Sequence, residues 1–289
     1  MTKSPTSHAA AEWVLITGGS HGIGLALARE CQRQGLGVAI VALPDAHLAT
    51  ARRLLTQAGL PPACFLGLDL TAPQAIDRVV DWVAEEHIAL HYLINNAGFG
   101  RGGLFEHTPW AEYRTMLQLN NQVMVELIHR LLPQLKATRG GILNMSSMEA
   151  TLPLPYKTVY TGTKGMVYNF SLALREEFRY HGVSVSVLCP GPVITNEDGL
   201  RRVEAQGARA RLLVTMPEDI APEAIRGMLA GKAVIVPGRL VRLLIGVCYL
   251  TPRPLRMRIL ERLFSRYRDT PPTPSTAPPA ALQSSAVNT

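Results

Sequence analysis

Seven short apolar runs, at residues 13–17, 38–43, 64–68, 92–95, 141–145, 183–188 and 233–236, alternate along this chain with stretches of helical spacing. Those stretches cover 23–34, the region of Leu48, Leu54 and Leu55, and then 75–86, 113–132 and 161–181. The runs are continuously apolar, as strands are when both faces of their sheet are covered. Strands joined by helices pair in parallel, and the helices must divide between the two faces. The expected fold is α/β, a doubly wound parallel sheet whose ligands bind beyond the C-terminal ends of the strands.

The 289 residues are 47% hydrophobic and 18% charged, enough apolar material for one large core. The expected layout is a flexible leader over 1–12, one α/β domain over 13–238, a basic amphipathic helical extension over 239–269, and a disordered tail over 270–289. The extension pairs an apolar stretch, 240–250, with a second, 255–267, in which leucines and arginines alternate; Pro252 and Pro254 separate them. The tail is Pro, Ser, Thr and Ala, a composition that buries too little to fold. Much of the net charge of +7 lies in arginines from Arg239 to Arg268. Cys31, Cys64, Cys189 and Cys248 are far apart and lack zinc-ligand spacing, so no metal and a reducing, cytoplasmic setting are expected. The leader lacks the apolar segment of a secretory signal, and no run reaches the roughly 18 to 20 apolar residues of a spanning helix.

Between the first strand and its helix stands Thr17-Gly18-Gly19-Ser20-His21-Gly22-Ile23-Gly24. Glycines there let the backbone approach a diphosphate, which meets exposed amides and the positive end of the helix dipole. Farther on, Tyr160 and Lys164 are four residues apart at a helix start, so both side chains lie on one face. A nearby ammonium favours the phenolate of a tyrosine and makes it a usable acid and base.

The Gly-x-x-x-Gly-x-Gly turn, Asp69 ending the third strand, Asn95-Asn96-Ala97-Gly98, Asn120, Ser147 after Asn144-Met145-Ser146, Tyr160-x-x-x-Lys164 and Pro190-Gly191-Pro192-Val193-Ile194-Thr195 occur in this order. Over about residues 14–195 the chain resembles the classical short-chain dehydrogenase/reductase family, which implies a Rossmann-type fold. The resemblance implies a catalytic set of Asn120, Ser147, Tyr160 and Lys164: Tyr160 is the acid/base, Ser147 binds the substrate oxygen, Lys164 holds the nicotinamide ribose, and Asn120 positions a relay water. Ser146 and Asn121 compete for two of these roles. It also implies cofactor contacts from Gly18, Ser20, His21, Gly22, Ile23, Gly24, Asp69, Leu70, Asn96, Ala97, Gly98, Tyr160, Lys164, Pro190, Gly191, Val193 and Thr195. The first turn through Arg29 also looks like that of 3-ketodihydrosphingosine reductases.

The family's markers for cofactor choice are missing: His21, Ala42 and Leu43 stand where a basic residue or an Asp would decide, and Asp45 falls late. The reading leans to NADP(H) over NAD(H). Phe99, Met148, Glu149, Leu152, Leu154 and Tyr156 are the candidate substrate pocket, and their apolar majority points to a hydrophobic substrate, lipid or acyl-chain in kind. Reduction of a ketone, or oxidation of the alcohol, is the expected activity. The alternatives are a nucleotide-binding sensor without turnover, or a membrane-docking protein, and a 3-oxoacyl-carrier-protein reductase-like enzyme. The resemblance implies a homodimer or homotetramer. Residues 239–269 suit peripheral contact with the inner face of a membrane, packing over the pocket or packing against another subunit. They lack a nucleic-acid motif, so no nucleic-acid partner is expected.

Overall fold

The structure, a computed structural model, describes residues 11–193 and 215–267. The leader apart from its last two residues, Thr195 with the segment that follows it, and the tail over 270–289 lie outside the described residues.

All seven strands are parallel, in the spatial order β3-β2-β1-β4-β5-β6-β7. They are β1 (Trp13–Thr17), β2 (Gly37–Ala42), β3 (Ala63–Gly67), β4 (Leu90–Asn95), β5 (Gly141–Met145), β6 (Ser184–Leu188) and β7 (Val234–Ile235). The order reverses between β1 and β4, and this leaves a crevice at their C-terminal ends. The first turn, Asn96 and Asp69 all follow such ends.

Strand periodicity sorts the core. Trp13, Leu15, Ala39, Val41 and Leu93 face one layer, while Val14, Ile16, Val38, Ile40 and Ile94 face the other. On the first face pack α3 (Ala75–Glu85), α5 (Val123–Thr138) and α6 (Thr158–Phe178), through Ile76, Val79, Leu127, Leu131, Val167 and Leu174. On the second pack α1 (Gly22–Arg33), α2 (Ala46–Leu55) and α7 (Pro217–Leu229), through Leu27, Cys31, Leu48, Leu55, Ile220 and Ile225. Two covered faces explain why the strands read as unbroken apolar runs.

Two features depart from the sequence reading. The expected helix over 113–132 is three pieces: α4 (Trp110–Leu117), a π turn (Gln118–Gln122) and α5, which continues past Pro133. Helix α7 has no counterpart in that reading, although Pro217 at its start and Glu218 and Asp219 in its first turn are ordinary initiation signals. The extension forms α8 (Arg239–Leu250) and α9 (Arg253–Phe264), followed by a 3-10 turn (Ser265–Tyr267). Among the described residues no helix is long and apolar enough to cross a membrane.

Candidate active site

The first turn is built by close approach. A Cβ on Gly24 would lie 2.1 Å from the Gly18 carbonyl oxygen and 2.6 Å from Asn96 Nδ2. Asn96 locks that geometry: its side-chain amide donates to the Thr17 and Gly18 carbonyls at 3.0 Å each, and its backbone N–H donates to Thr17 Oγ1 at 3.0 Å. Helix α1 then starts at Gly22 with no side-chain cap and no acidic residue in its first turn. Such an end has unsatisfied amides and a positive dipole, so it suits a diphosphate. Asp69 Oδ1 accepts from both the N–H and the hydroxyl of Thr71, and the neighbouring Leu70 is buried.

Beside this turn, the imidazoles of His21 and His47 lie tilted at 33° with centroids 4.8 Å apart, and Ser20 Oγ lies 3.1 Å from His21 Nδ1. Burial, then the neighbouring His47, lowers the His21 pKa, with Asp45 acting against them. Asp45 itself caps α2, accepting from the Leu48 N–H at 3.0 Å. His47 was absent from the sequence reading, since nothing in the spacing shows that α2 brings it back to the first turn.

The four proposed catalytic side chains converge at the ends of β4 and β5 and the start of α6. Lys164 is buried and its ammonium donates to the Met145 carbonyl at 2.9 Å; Ser146 Oγ donates to the Lys164 carbonyl at 2.8 Å. Ser147 is buried, accepts the Glu149 N–H at 3.1 Å and hydrogen-bonds Tyr160. The Lys164 Nζ lies 5.9 Å from the Tyr160 ring centroid. Gly98 runs so close that a Cβ there would sit 2.7 Å from Asn120 Oδ1 and 3.5 Å from Lys164 Nζ.

The π turn explains how adjacent asparagines both point inward. Its extra residue lets Asn120 and Asn121 be buried together, a device frequent at functional sites. Asn120 accepts the Phe99 N–H at 3.0 Å and donates to the Phe99 carbonyl and Thr163 Oγ1, at 2.9 and 3.0 Å. Asn121 instead donates to the Thr163 carbonyl at 2.9 Å. Asn120 is therefore the one tied to the Gly98-Phe99 loop, whereas Asn121 fastens α6. Thr163, which the sequence reading passed over, is the joint between them.

The electrostatics differ from the sequence expectation that Lys164 favours the phenolate. Burial pushes the Tyr160 pKa up, the Glu149 carboxylate pushes it further, and the hydrogen bond with Ser147 acts against both. Burial in turn lowers the Lys164 pKa to about 8. The protein's own groups thus keep Tyr160 as a phenol at neutral pH, a proton donor rather than a base.

The pocket candidates fall into two groups. Glu149 pairs with Lys157 at 2.7 Å, and its Oε2 is buried without a hydrogen-bond partner among the described residues. The Lys157 ammonium lies 5.8, 5.7 and 5.5 Å from the ring centroids of Tyr160, Phe264 and Tyr267. Met148 and Phe99 are half-buried at the ends of β5 and β4. Leu152 and Leu154, by contrast, pack against Leu260 of α9, and the Tyr156 hydroxyl donates to Glu261 Oε1 at 3.0 Å. Their apolar surface is covered by the C-terminal helices, a contact only tertiary structure reveals. Gly191 abuts Val241 of α8, its Cβ position 2.7 Å from Val241 Cγ2, and the Pro190 carbonyl accepts from the Met148 N–H. Val193 forms an isolated bridge with Thr215. Thr195 lies outside the described residues.

Comparison with known proteins agrees with this geometry. Residues 12–204 match the short chain dehydrogenase family. The probable oxidoreductase EphD of Mycobacterium tuberculosis is 32% identical over 186 residues, which are 63% of this chain but 31% of EphD, so the chain spans about a third of that relative. The uncharacterized oxidoreductase YbbO of Escherichia coli is 32% identical over 217 residues, 73% of this chain and 77% of YbbO. A solved 7beta-hydroxysteroid dehydrogenase has the same fold, with a TM-score of 0.77 at 22% identity over 86% of this chain and 96% of that one. Chains of this fold have been solved with NADPH and with NAD. The match runs from the first strand past the Tyr160 and Lys164 helix, and the chain belongs to the short-chain dehydrogenase family.

Proposed function

We propose that the chain reduces a ketone on a hydrophobic, lipid-like or acyl-chain substrate, preferring NADP(H), with Asn120, Ser147, Tyr160 and Lys164 as the working set. The observation that carries this reading is the pairing of buried Ser147 with half-buried Tyr160 beside buried Lys164. The free first-turn end of α1, with the Gly18–Gly24 contact, fits the cofactor diphosphate, and Lys164 and the Asn96–Gly98 loop would hold its nicotinamide end. When bound, the cofactor supplies or takes up the hydride.

The chain's own residues manage the proton. Ser147 donates a hydrogen bond to the substrate oxygen and stabilises the charge that grows there. Tyr160, held protonated by burial and Glu149, gives its proton to that oxygen. The resulting phenolate sits near the Lys164 ammonium, and Asn120 is placed to order the water that returns a proton from solvent. A panel of medium- and long-chain ketones, followed by loss of NADPH absorbance, tests the substrate class. Turnover confined to short polar ketones would overturn the hydrophobic reading. Assembly through α5 and α6, as the family resemblance implies, and peripheral contact through 239–269 complete the proposal.

Glu149 has a measurable consequence. Reduction needs the phenol and is lost as pH rises through the Tyr160 pKa, whereas oxidation needs the phenolate and rises there. Glu149→Gln removes the negative charge and leaves Lys157 unpaired, and both changes lower that pKa. The alkaline rise of alcohol oxidation is expected to begin at lower pH by about one unit. An unchanged pH–rate profile would show that Glu149 does not act on Tyr160.

Cofactor choice has its own test. Protonation of His21 adds positive charge beside the first turn, where a 2′-phosphate is anionic. NADPH affinity is expected to rise several-fold as pH falls below about 6.5, while NADH affinity stays level. His21→Ala flattens the NADPH dependence. Equal pH dependence for both nucleotides, measured by fluorescence titration, would remove His21 from cofactor choice.

A further inference from the structure

Helices α8 and α9 are apolar on two sides. Their inner side closes over the substrate region: Leu260 packs on Leu152 and Leu154, Tyr267 lies against Gly102, and Phe264 and Tyr267 flank Lys157. Their outer side is apolar as well. Leu240, Leu243, Val247 and Leu250 recur at spacings of three and four along α8, and Leu255, Ile259 and Leu263 at four along α9, all exposed. Of the sixteen exposed large apolar side chains among the described residues, these two helices carry seven. A concentration of this kind marks an interaction surface rather than scattered surface leucines.

The charges decide what meets it. Residues 239–267 carry seven arginines against one carboxylate, Glu261. Arg242 pairs with Glu223 at 3.1 Å and Arg256 donates to the Cys248 carbonyl. Arg239, Arg253, Arg258 and Arg262 are exposed, and the last two line a cavity with Pro155, Met257 and Glu261 beside the Leu255-Ile259-Leu263 row. A second copy presenting the same face would bring arginines against arginines, which is unfavourable. An anionic lipid surface satisfies both features, since leucines enter the acyl boundary and guanidiniums meet phosphates.

We propose that α8 and α9 dock the protein in the plane of an anionic bilayer and that an apolar substrate passes from the lipid beside α9 to Tyr160. This deepens the hydrophobic-substrate reading and rests on it only for the second clause. The same two helices cover the site and face the lipid, so the substrate need not cross water.

The test is sedimentation of the full chain with vesicles of phosphatidylcholine alone and with added phosphatidylglycerol. At least about tenfold more protein is expected with the anionic vesicles, falling with salt. Leu243→Glu with Leu263→Glu, both outer-face positions, is expected to abolish the difference while leaving reduction of a water-soluble ketone unchanged. Equal binding to both vesicles, or to neither, overturns the proposal. So does a doubly substituted chain that dissociates into monomers in analytical ultracentrifugation, which would make the face a contact between copies. Vesicle binding is read without turnover: an inactive protein that binds anionic vesicles sinks the reductase reading alone, and an active one that ignores them sinks the docking alone.

Discussion

Tyr160→Phe is expected to lower turnover about 10²- to 10⁴-fold in both directions while nucleotide affinity stays within about twofold. The substitution removes one oxygen and leaves the ring. That ring supports the loop after β4, because Gly100 passes so close that a Cβ there would lie 2.7 Å from it. The phenol's tie to Ser147 is lost, but Ser147 still accepts the Glu149 N–H at 3.1 Å and keeps its place. Single-turnover measurement with the best ketone separates chemistry from binding. A variant retaining more than about a tenth of parental single-turnover rate would remove Tyr160 from the proton transfer.

The second large effect is expected at Gly24. Gly24→Ala places a methyl 2.1 Å from the Gly18 carbonyl oxygen, a backbone atom, and 2.6 Å from Asn96 Nδ2, which is itself held by two carbonyls. No flexible side chain is available to yield, so α1 must shift away from the first turn. A stability loss of about 1 to 3 kcal/mol is expected. NADPH and NADH affinities should fall together by more than about tenfold, since the diphosphate is common to both. Gly162→Ala is the contrast: it lies exposed within α6 with open space around its Cβ position, and it should stabilise by up to about 1 kcal/mol. Urea unfolding and fluorescence titration read both. Undiminished nucleotide affinity in Gly24→Ala would mean that the diphosphate does not rest on this turn.

Much of the sheet was legible because burial on both faces leaves a trace in composition. Runs such as Val38-Ala39-Ile40-Val41 have no polar residue to mark an outer face, and helical spacing between them fixes the crossovers. The motif residues were legible for a related reason, as glycines are needed where backbones touch, and Tyr160 and Lys164 share a helix face at a separation of four. Helix α7 was not, because Pro222 interrupts its pattern. The break at Gln118–Gln122 was not either: a π turn needs one extra residue and no special residue type, so 113–132 reads as one helix. That the protein's own groups hold the Tyr160 pKa up was not legible, because spacing shows that Lys164 is near, but not that the hydroxyl is desolvated, that the ammonium donates to Met145, or that the Glu149 carboxylate acts on the phenol.

The sequence by itself determined the parallel α/β sheet and the glycine turn after β1, since both depend on local spacing, side-chain volume or the absence of a Cβ, while its resemblance to a family supplied the candidate site residues. Tertiary structure alone decided that Asn120 and not Asn121 meets the Gly98-Phe99 loop, that His47 returns to lie against His21, and that Leu260, Phe264 and Tyr267 close over Leu152, Leu154 and Lys157. These contacts join residues from about twenty to more than a hundred positions apart, and no local periodicity encodes them. They exist because packing two layers on a twisted sheet leaves one crevice, at the reversal of strand order, where distant loops and the chain's last helices must meet.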